Sequence, residues 1–138
     1  MGKFGCYYFA QELENGVSYS QAKDYCFLKG GRLAEPNTSL KQAILKNLAE
    51  AQPNAPDLWW LGATDTYSEG DWRWDSGVDW EYTAWSKDQP NNLYSESGGQ
   101  DCLFMWESNF PEDPAEYFKW GDEKCSHLYK PVCQWPKN

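Results

Sequence analysis

Five cysteines and a single histidine are the residues whose spacing constrains the chemistry of this chain most directly. The cysteines occupy positions 6, 26, 102, 125 and 133, and the histidine is His127. No two cysteines have the CxxC spacing of a zinc or thioredoxin site, which argues against a structural zinc centre. Widely spaced cysteines in a short acidic chain instead indicate disulfides, and therefore a secreted, extracellular protein. Two bridges would leave one cysteine over, and the spacing alone leaves the connectivity open.

The same residues give little support to enzymatic chemistry. A Ser-His-Asp triad would depend on His127 alone, and a lone histidine near a strand is usually structural. The acid pair Glu112-Asp113 could act as a glycosidase pair only across a cleft, and it stands in a sequence typical of a solvated loop. We therefore expect no enzyme and no catalytic residue.

Composition excludes several classes of partner. The chain has 138 residues and a formal net charge of −9, so it would be repelled by nucleic acid and by anionic lipid. No apolar run approaches the ~18 residues that a membrane span needs. Aromatic residues make up 17% of the chain, which argues against disorder. We expect one domain over residues 1–138, with no nucleic-acid partner and no membrane insertion.

Two helices are predicted in the first third of the chain. The first covers residues 18–29, ends at Gly30-Gly31, and has a recurring face made of Tyr19, Ala22 and Cys26. The second begins at Ser39, which forms a capping-box pattern with Gln42. Its predicted buried stripe consists of Leu40, Ala43, Ile44 and Leu48.

Short strands and one long irregular segment follow these helices. Residues 58–63 and 101–106 are apolar runs of strand length, and Trp72-Arg73-Trp74 alternates as a half-buried strand does. Residues 76–100 have loop chemistry, but their aromatic content indicates an ordered loop with a function. Helices first and strands later predict an α+β fold.

At this point the chain resembles the C-type lectin-like domain family over residues 6–134. The resemblance rests on segments in the family's order: Cys6-Tyr7-Tyr8-Phe9, Gly31-Arg32-Leu33-Ala34, Trp60-Leu61-Gly62-Ala63, Gln89-Pro90-Asn91, Gln100-Asp101-Cys102 and Trp120-Gly121-Asp122. It implies two helices packed on short antiparallel sheets, with a long loop region that binds calcium and sugar. It also implies two disulfides, Cys26 with Cys133 and Cys102 with Cys125. Cys6 matches one half of an additional pair in longer family members, so it is either unpaired or links two chains into a homodimer.

The resemblance also implies two calcium sites. The principal site would use Gln89, Asn91, Gln100 and Asp122, and the auxiliary site Asp65, Glu69, Asn92 and Asp101. In the principal site Gln100 replaces the usual Glu and Gly121 the usual Asn, which removes a charge and an oxygen. Because ligand charge tunes calcium affinity, we expect calcium there to be weak or absent unless other acids compensate: Asp88, Glu96 or Glu123.

The sugar preference implied by the resemblance is a hybrid one. Gln89-Pro90-Asn91 combines the glutamine of galactose-type members with the asparagine of mannose-type members, and Pro90 would be cis. Sugar contacts would come from Gln89, Asn91, Asp122 and Tyr94, the last as an aromatic platform. Glu35-Pro36-Asn37 spells a similar tripeptide outside the long loop, and we interpret it as a turn. Trp60, Trp74, Trp85 and Trp120 are interpreted as core residues.

Two functions follow from this sequence. The first is a secreted, calcium-assisted lectin that recognises glycans or microbes in innate immunity, with galactose or N-acetylgalactosamine preferred to mannose. The alternative is a lectin-fold protein whose degraded sugar site has been replaced by binding to a protein or mineral surface, for which its net charge of −9 would suit a cationic partner.

Overall fold

Short strands and two helices form the regular structure of the described part of this chain. The computed structural model describes residues 6–52, 58–68, 70–86, 101–106 and 118–135. In chain order the elements are β1 Cys6–Phe9, α1 Tyr19–Leu28, β2 Arg32–Leu33, α2 Ser39–Glu50, β3 Leu58–Thr64, β4 Arg73–Trp74, β5 Cys102–Trp106, β6 Trp120–Glu123 and β7 Lys130–Trp135. Within these described parts, no helix has the length and apolarity needed to cross a bilayer.

The strands form a mixed sheet in the order β1-β7-β3-β5-β6, with β2 also paired to β7 and β4 to β3. All pairings are antiparallel except β3 with β7, where Trp59 lies opposite Lys130 and Trp60 opposite Pro131. The first and last described strands, β1 and β7, are therefore neighbours. Strand β7 also pairs with β3 in the centre of the sheet. The predicted α+β class, with two helices and short strands, is confirmed.

Helix α1 agrees with its prediction in position and in buried face. The Ser18 hydroxyl accepts a hydrogen bond from the Gln21 N–H at 3.3 Å, and the Gln21 side chain accepts one from the Ser18 N–H at 3.0 Å. This is a reciprocal capping box, which satisfies two otherwise unpaired donors. The predicted face is buried. Gly30 follows the helix with φ +87°, a conformation that glycine adopts without strain.

Helix α2 has the predicted position, but its predicted buried stripe and capping box are wrong. Leu40 is 49% and Leu48 39% exposed, whereas the buried residues are Gln42, Leu45 and Ala49. The cap is Thr38, whose hydroxyl accepts a hydrogen bond from the Lys41 N–H at 3.1 Å. The buried face of the helix therefore differs from the predicted one. Gln42 is part of that face because its side chain has buried hydrogen-bond partners, which a pattern of apolar residues does not detect.

Strand β3 leaves its antiparallel pairing with β5 at an irregularity between Trp60 and Thr64. At this point the Gly62 N–H donates to the Ala34 carbonyl, and the Gly62 carbonyl accepts from the Asp75 N–H. A Cβ at Gly62 would lie 2.9 Å from the Leu33 carbonyl oxygen. Glycine therefore allows the segment after β2 and the segment after β4 to pack directly on β3.

Tryptophan rings order the first part of the predicted long loop. The Trp80 ring centroid lies 4.7 Å from that of Trp74 and 5.7 Å from that of Trp120. The backbone of β6 then fixes the end of this segment, since the Trp120 N–H donates to Ala84 and the Ser86 N–H to Trp120. Residues 76–86 thus pack against the core of the domain, and the rest of the predicted ordered loop, residues 87–100, lies outside the described residues. Trp60, Trp74 and Trp120 are buried and Trp85 is half-buried, which agrees with their interpretation as core.

Both implied disulfides are present, Cys26–Cys133 and Cys102–Cys125. The first ties α1 to β7, and the second ties the start of β5 to the turn that follows β6. Cys6 is a free, partly exposed thiol on β1.

Candidate functional site

One end of the sheet brings together the three predicted calcium ligands that the structure describes. Asp65 follows the last residue of β3, Asp101 precedes the first residue of β5, and Asp122 is the penultimate residue of β6. The register places these chain ends side by side, because Cys102 pairs with both Thr64 and Glu123. The fold therefore places three aspartates from separate parts of the sequence at neighbouring chain ends.

Asp65 is held at this edge by backbone hydrogen bonds on both of its sides. Its N–H donates to the Asp101 carbonyl at 3.0 Å, and its Oδ2 accepts from the Gly70 N–H at 3.0 Å. Gly70 has φ +80°, which lets the chain turn back toward the carboxylate. Asp65 is only 4% exposed, so its orientation is set by the turn rather than by solvent.

Asp122 is 2% exposed and lies opposite Leu103 on β5. Burying a carboxylate is costly unless partners stabilise its charge. Two residues earlier in β6, the Trp120 indole N–H donates to the Gln42 side chain at 2.9 Å and ties the strand to α2. Asp122 is therefore a buried carboxylate near the end of a strand that is anchored to a helix.

Glu123 has a structural role next to Asp122. Its carboxylate accepts hydrogen bonds from the Tyr129 hydroxyl at 3.1 Å and from the Lys124 N–H at 2.9 Å, and it lies 3.2 Å from His127 Nδ1. Glu123 therefore fixes the turn that carries Cys125, and these contacts compete with its use as a replacement calcium ligand. They also give His127 an acidic partner in the same turn.

Calcium prefers six to eight oxygen ligands, and the donor groups at this edge are of that type. Within the described residues, however, no group of three or more histidine, cysteine, aspartate or glutamate side chains converges as a metal cluster. The remaining predicted site residues lie outside the described residues: Glu69, Gln89, Asn91, Asn92, Tyr94 and Gln100. The edge thus supplies oxygen ligands that fit calcium without forming a complete shell by itself.

An exposed aromatic ring that the sequence analysis does not include among the site residues lies near this edge. Tyr67, two residues after Asp65, is 77% exposed, and the Arg73 guanidinium lies 4.0 Å from its ring centroid. Arg73 also pairs with Asp71 at 2.8 Å, and this ion pair holds the pKa of Asp71 below its usual range. A tyrosine between polar residues gives no periodic signal, so the sequence does not identify it.

Two polar residues that are buried in the fold are also missed by the sequence analysis. Gln42 donates to the Phe118 carbonyl at 2.8 Å in addition to accepting from Trp120. Glu35, interpreted from the sequence as part of a turn, is 2% exposed and accepts from the Ser76 N–H at 2.8 Å. Burial raises the pKa of the Glu35 carboxyl above its ordinary value. Both residues are recognisable only from contacts with distant parts of the chain.

Comparison with known proteins agrees with this architecture. Residues 15–135 match the family model described as the lectin C-type domain. C-type lectin domain family 10 member A of Rattus norvegicus is 32% identical over 94% of this chain, and human asialoglycoprotein receptor 2 is 28% identical over 96%. The chain spans only 37% and 38% of the length of these two relatives.

Solved structures show the same fold at lower identity. The carbohydrate-recognition domain of human scavenger receptor C-type lectin superimposes with a TM-score of 0.80 at 24% identity, covering 99% of this chain and 95% of that one. A calcium-independent type II antifreeze protein superimposes with a TM-score of 0.74 at 21% identity, covering 99% and 88%. With the family model matched over most of its length, this chain belongs to the C-type lectin domain family.

Proposed function

We propose that residues 1–138 form a single extracellular carbohydrate-recognition domain that binds glycans with the help of calcium. The observation that carries this proposal is the position of Asp65, Asp101 and Asp122 at neighbouring chain ends on one edge of the sheet. These aspartates stand at the ends of three strands; Asp65 and Asp122 are buried, and the Asp65 carboxylate is held by the Gly70 N–H. The segment 87–100, which contains Gln89-Pro90-Asn91, leads directly into Asp101.

The proposed principal site consists of Gln89, Asn91, Gln100 and Asp122, and the auxiliary site of Asp65, Glu69, Asn92 and Asp101. The amide pair of the hybrid tripeptide, with Tyr94 as an aromatic platform, favours galactose or N-acetylgalactosamine over mannose. Recognition of host or microbial glycans in innate immunity would follow from this chemistry. Two lines of support are the galactose-type glutamine at position 89 and the similarity to an asialoglycoprotein receptor.

A competition experiment tests this proposal. The protein is immobilised, and binding of a galactose-terminated neoglycoprotein is measured in calcium and in EDTA, with galactose, N-acetylgalactosamine and mannose as competitors. We expect binding in calcium only, with the two galactose-type sugars as the stronger competitors. Asp122→Asn should abolish it, whereas Asp79→Asn, the same change at an exposed loop position, should leave it unchanged. Equal binding in EDTA, or equal loss in both variants, would contradict the proposal.

A second candidate is a lectin-fold protein that binds a protein or mineral surface without sugar. It is favoured by the engagement of Glu123 in internal hydrogen bonds, which competes with compensation for the missing charge at Gln100. Similarity to a calcium-independent antifreeze protein is compatible with such a loss of calcium dependence. In the same experiment this candidate predicts no sugar competition at all.

The free thiol of Cys6 bears on assembly under either candidate. We propose that it links two copies of the chain, since it is partly exposed on β1, which lies at the end of the strand order. Gel migration with and without reductant tests this. A dimer band that disappears both on reduction and in Cys6→Ser is the expected result, and monomer alone under oxidising conditions would contradict it.

A further inference from the structure

A polar trough lies along α1, apart from the carboxylates of the candidate calcium site. It consists of two adjoining cavities of 490 Å³ and 310 Å³ that share Lys23 and Asp75. Both volumes fall within the range of sites for small molecules, about 300–1,000 Å³. Asp65, Asp101 and Asp122 are not among the described residues that line either cavity. The trough is therefore a different concave surface, which adjoins the edge of the candidate calcium site through Thr64, Thr66 and Cys102.

The centre of the trough holds an acceptor and a donor in open positions. Asp75 Oδ2 accepts a hydrogen bond from the Tyr19 hydroxyl at 2.7 Å, which fixes the carboxylate. Its Oδ1 lies 4.0 Å from Lys23 Nζ, beyond hydrogen-bond distance. Burial raises the pKa of Tyr19, so its hydroxyl remains a donor to Asp75. A ligand hydroxyl placed between Oδ1 and Nζ could accept from the lysine and donate to the carboxylate.

The two ends of the trough offer different surfaces to a ligand. The larger cavity is lined by hydroxyl-bearing residues next to the Cys102–Cys125 disulfide: Ser18, Ser20, Thr64, Thr66 and Ser126. The smaller cavity is bordered by Phe27, whose side chain is 75% exposed. An exposed aromatic ring beside polar groups is the combination that packs against the apolar face of a sugar ring.

The charges of the residues that line the trough narrow the class of ligand further. Lys23 and Arg32 contribute two positive charges to the lining, and Asp24 and Asp75 two negative ones. The trough is thus close to neutral on a chain of net charge −9. Strongly cationic or anionic ligands have no excess of opposite charge to bind there, whereas a neutral ligand with many hydroxyl groups matches both the charge and the hydrogen-bonding groups.

We propose that this trough is a second saccharide site, which binds a neutral mono- or disaccharide unit without calcium. The sugar ring packs on Phe27, and one of its hydroxyls bridges Lys23 and Asp75. A shallow site of this size, with few fixed hydrogen bonds, is expected to have a dissociation constant of about a millimolar. Such a site would add avidity on a multivalent glycan surface, since linked weak sites bind together more tightly than either does alone.

The test uses the whole chain in EDTA, with saturation-transfer NMR on a panel of neutral disaccharides: lactose, maltose, cellobiose and trehalose. We expect a saturable signal for at least one member and a roughly fivefold loss of affinity in Phe27→Ser, the size typical of a lost aromatic contact. Leu28→Ser is the matched control, because Leu28 is the neighbouring residue, is 84% exposed and is not among the lining residues. Lys23→Met tests the polar centre, with a similar loss expected from one missing hydrogen bond.

Three results would overturn the proposal: no saturable signal for any disaccharide, an equal loss in Leu28→Ser, or no loss in either trough variant. Unfolding does not confuse the result, because Lys23 and Phe27 are exposed and substitutions at exposed positions usually change stability only slightly. Asp122→Asn separates this site from the calcium site. It should leave the EDTA signal unchanged, so either site can fail independently of the other.

Discussion

Gln42 connects α2 to β6, and its replacement tests how the candidate site is supported. Its side chain accepts from the Trp120 indole N–H at 2.9 Å and donates to the Phe118 carbonyl at 2.8 Å, both in the interior. Gln42→Met preserves length, flexibility and helix propensity but removes both polar contacts. The buried N–H and C=O groups are then left without the partners they have in the native protein.

The magnitude follows from these two groups. Leaving a buried donor or acceptor unsatisfied costs about 1–3 kcal/mol, so the variant should lose about 2–6 kcal/mol of unfolding free energy. For a domain of this size each kcal/mol lowers Tm by about 3–5 °C. The expected loss is large compared with the effect of ordinary surface substitutions, which is about 0.5 kcal/mol.

Urea denaturation followed by circular dichroism and by tryptophan fluorescence measures this loss. Asn47→Met, an exposed position of the same helix, is the control and should change the unfolding free energy by no more than about 0.5 kcal/mol. Calcium binding by Gln42→Met, measured well below its new Tm, should also weaken, because Trp120 precedes Asp122 in β6. A Gln42→Met variant as stable as the control would refute the assignment of Gln42 as the support of β6.

Two further predictions concern stability. Glu35→Gln should stabilise the protein at neutral pH, because burial raises the pKa of Glu35 and penalises its charged form. The wild type gains stability as pH falls through this raised pKa, so the advantage of the variant should vanish in acid; a constant advantage across a pH series of thermal melts would contradict this. Replacing Cys26 and Cys133 by alanine should cost about 5 kcal/mol and replacing Cys102 and Cys125 about 3 kcal/mol, given sequence separations of 107 and 23. Equal losses in urea unfolding would refute this ordering.

Most of the fold could be predicted from local pattern and family resemblance. The apolar run at β3, the alternation at β4 and the face of α1 are all properties of neighbouring residues, and the structure confirms them. The disulfide pairing was implied by the resemblance alone, since the spacing left it open. These features are local or are carried by the order of motifs, so a single sequence contains them.

Apart from the cap of α2, which is Thr38 instead of Ser39, the differences from the sequence analysis involve polar residues whose partners are distant in sequence. The predicted buried face of α2 is wrong because Gln42 contacts two residues that are 76 and 78 positions later in the chain. Glu35 belongs to the interior because its carboxylate accepts a hydrogen bond from the N–H of Ser76, which is 41 positions away in sequence. The trough around Lys23 and Asp75 also depends on contacts between distant parts of the sequence, because it joins α1 to the turn after β4. Such contacts exist only once the chain has folded, and hydropathy patterns carry no information about them.

Calcium binding by the edge of the sheet that carries Asp65, Asp101 and Asp122 is the central claim, and isothermal titration calorimetry with calcium measures it directly. The account predicts a saturable calcium isotherm for the wild type. Asp122→Asn and Asp65→Asn should each weaken binding, because each removes an anionic ligand, while Asp79→Asn should reproduce the wild type. A flat wild-type titration at millimolar calcium, or an isotherm unchanged in both Asp122→Asn and Asp65→Asn, would contradict the claim.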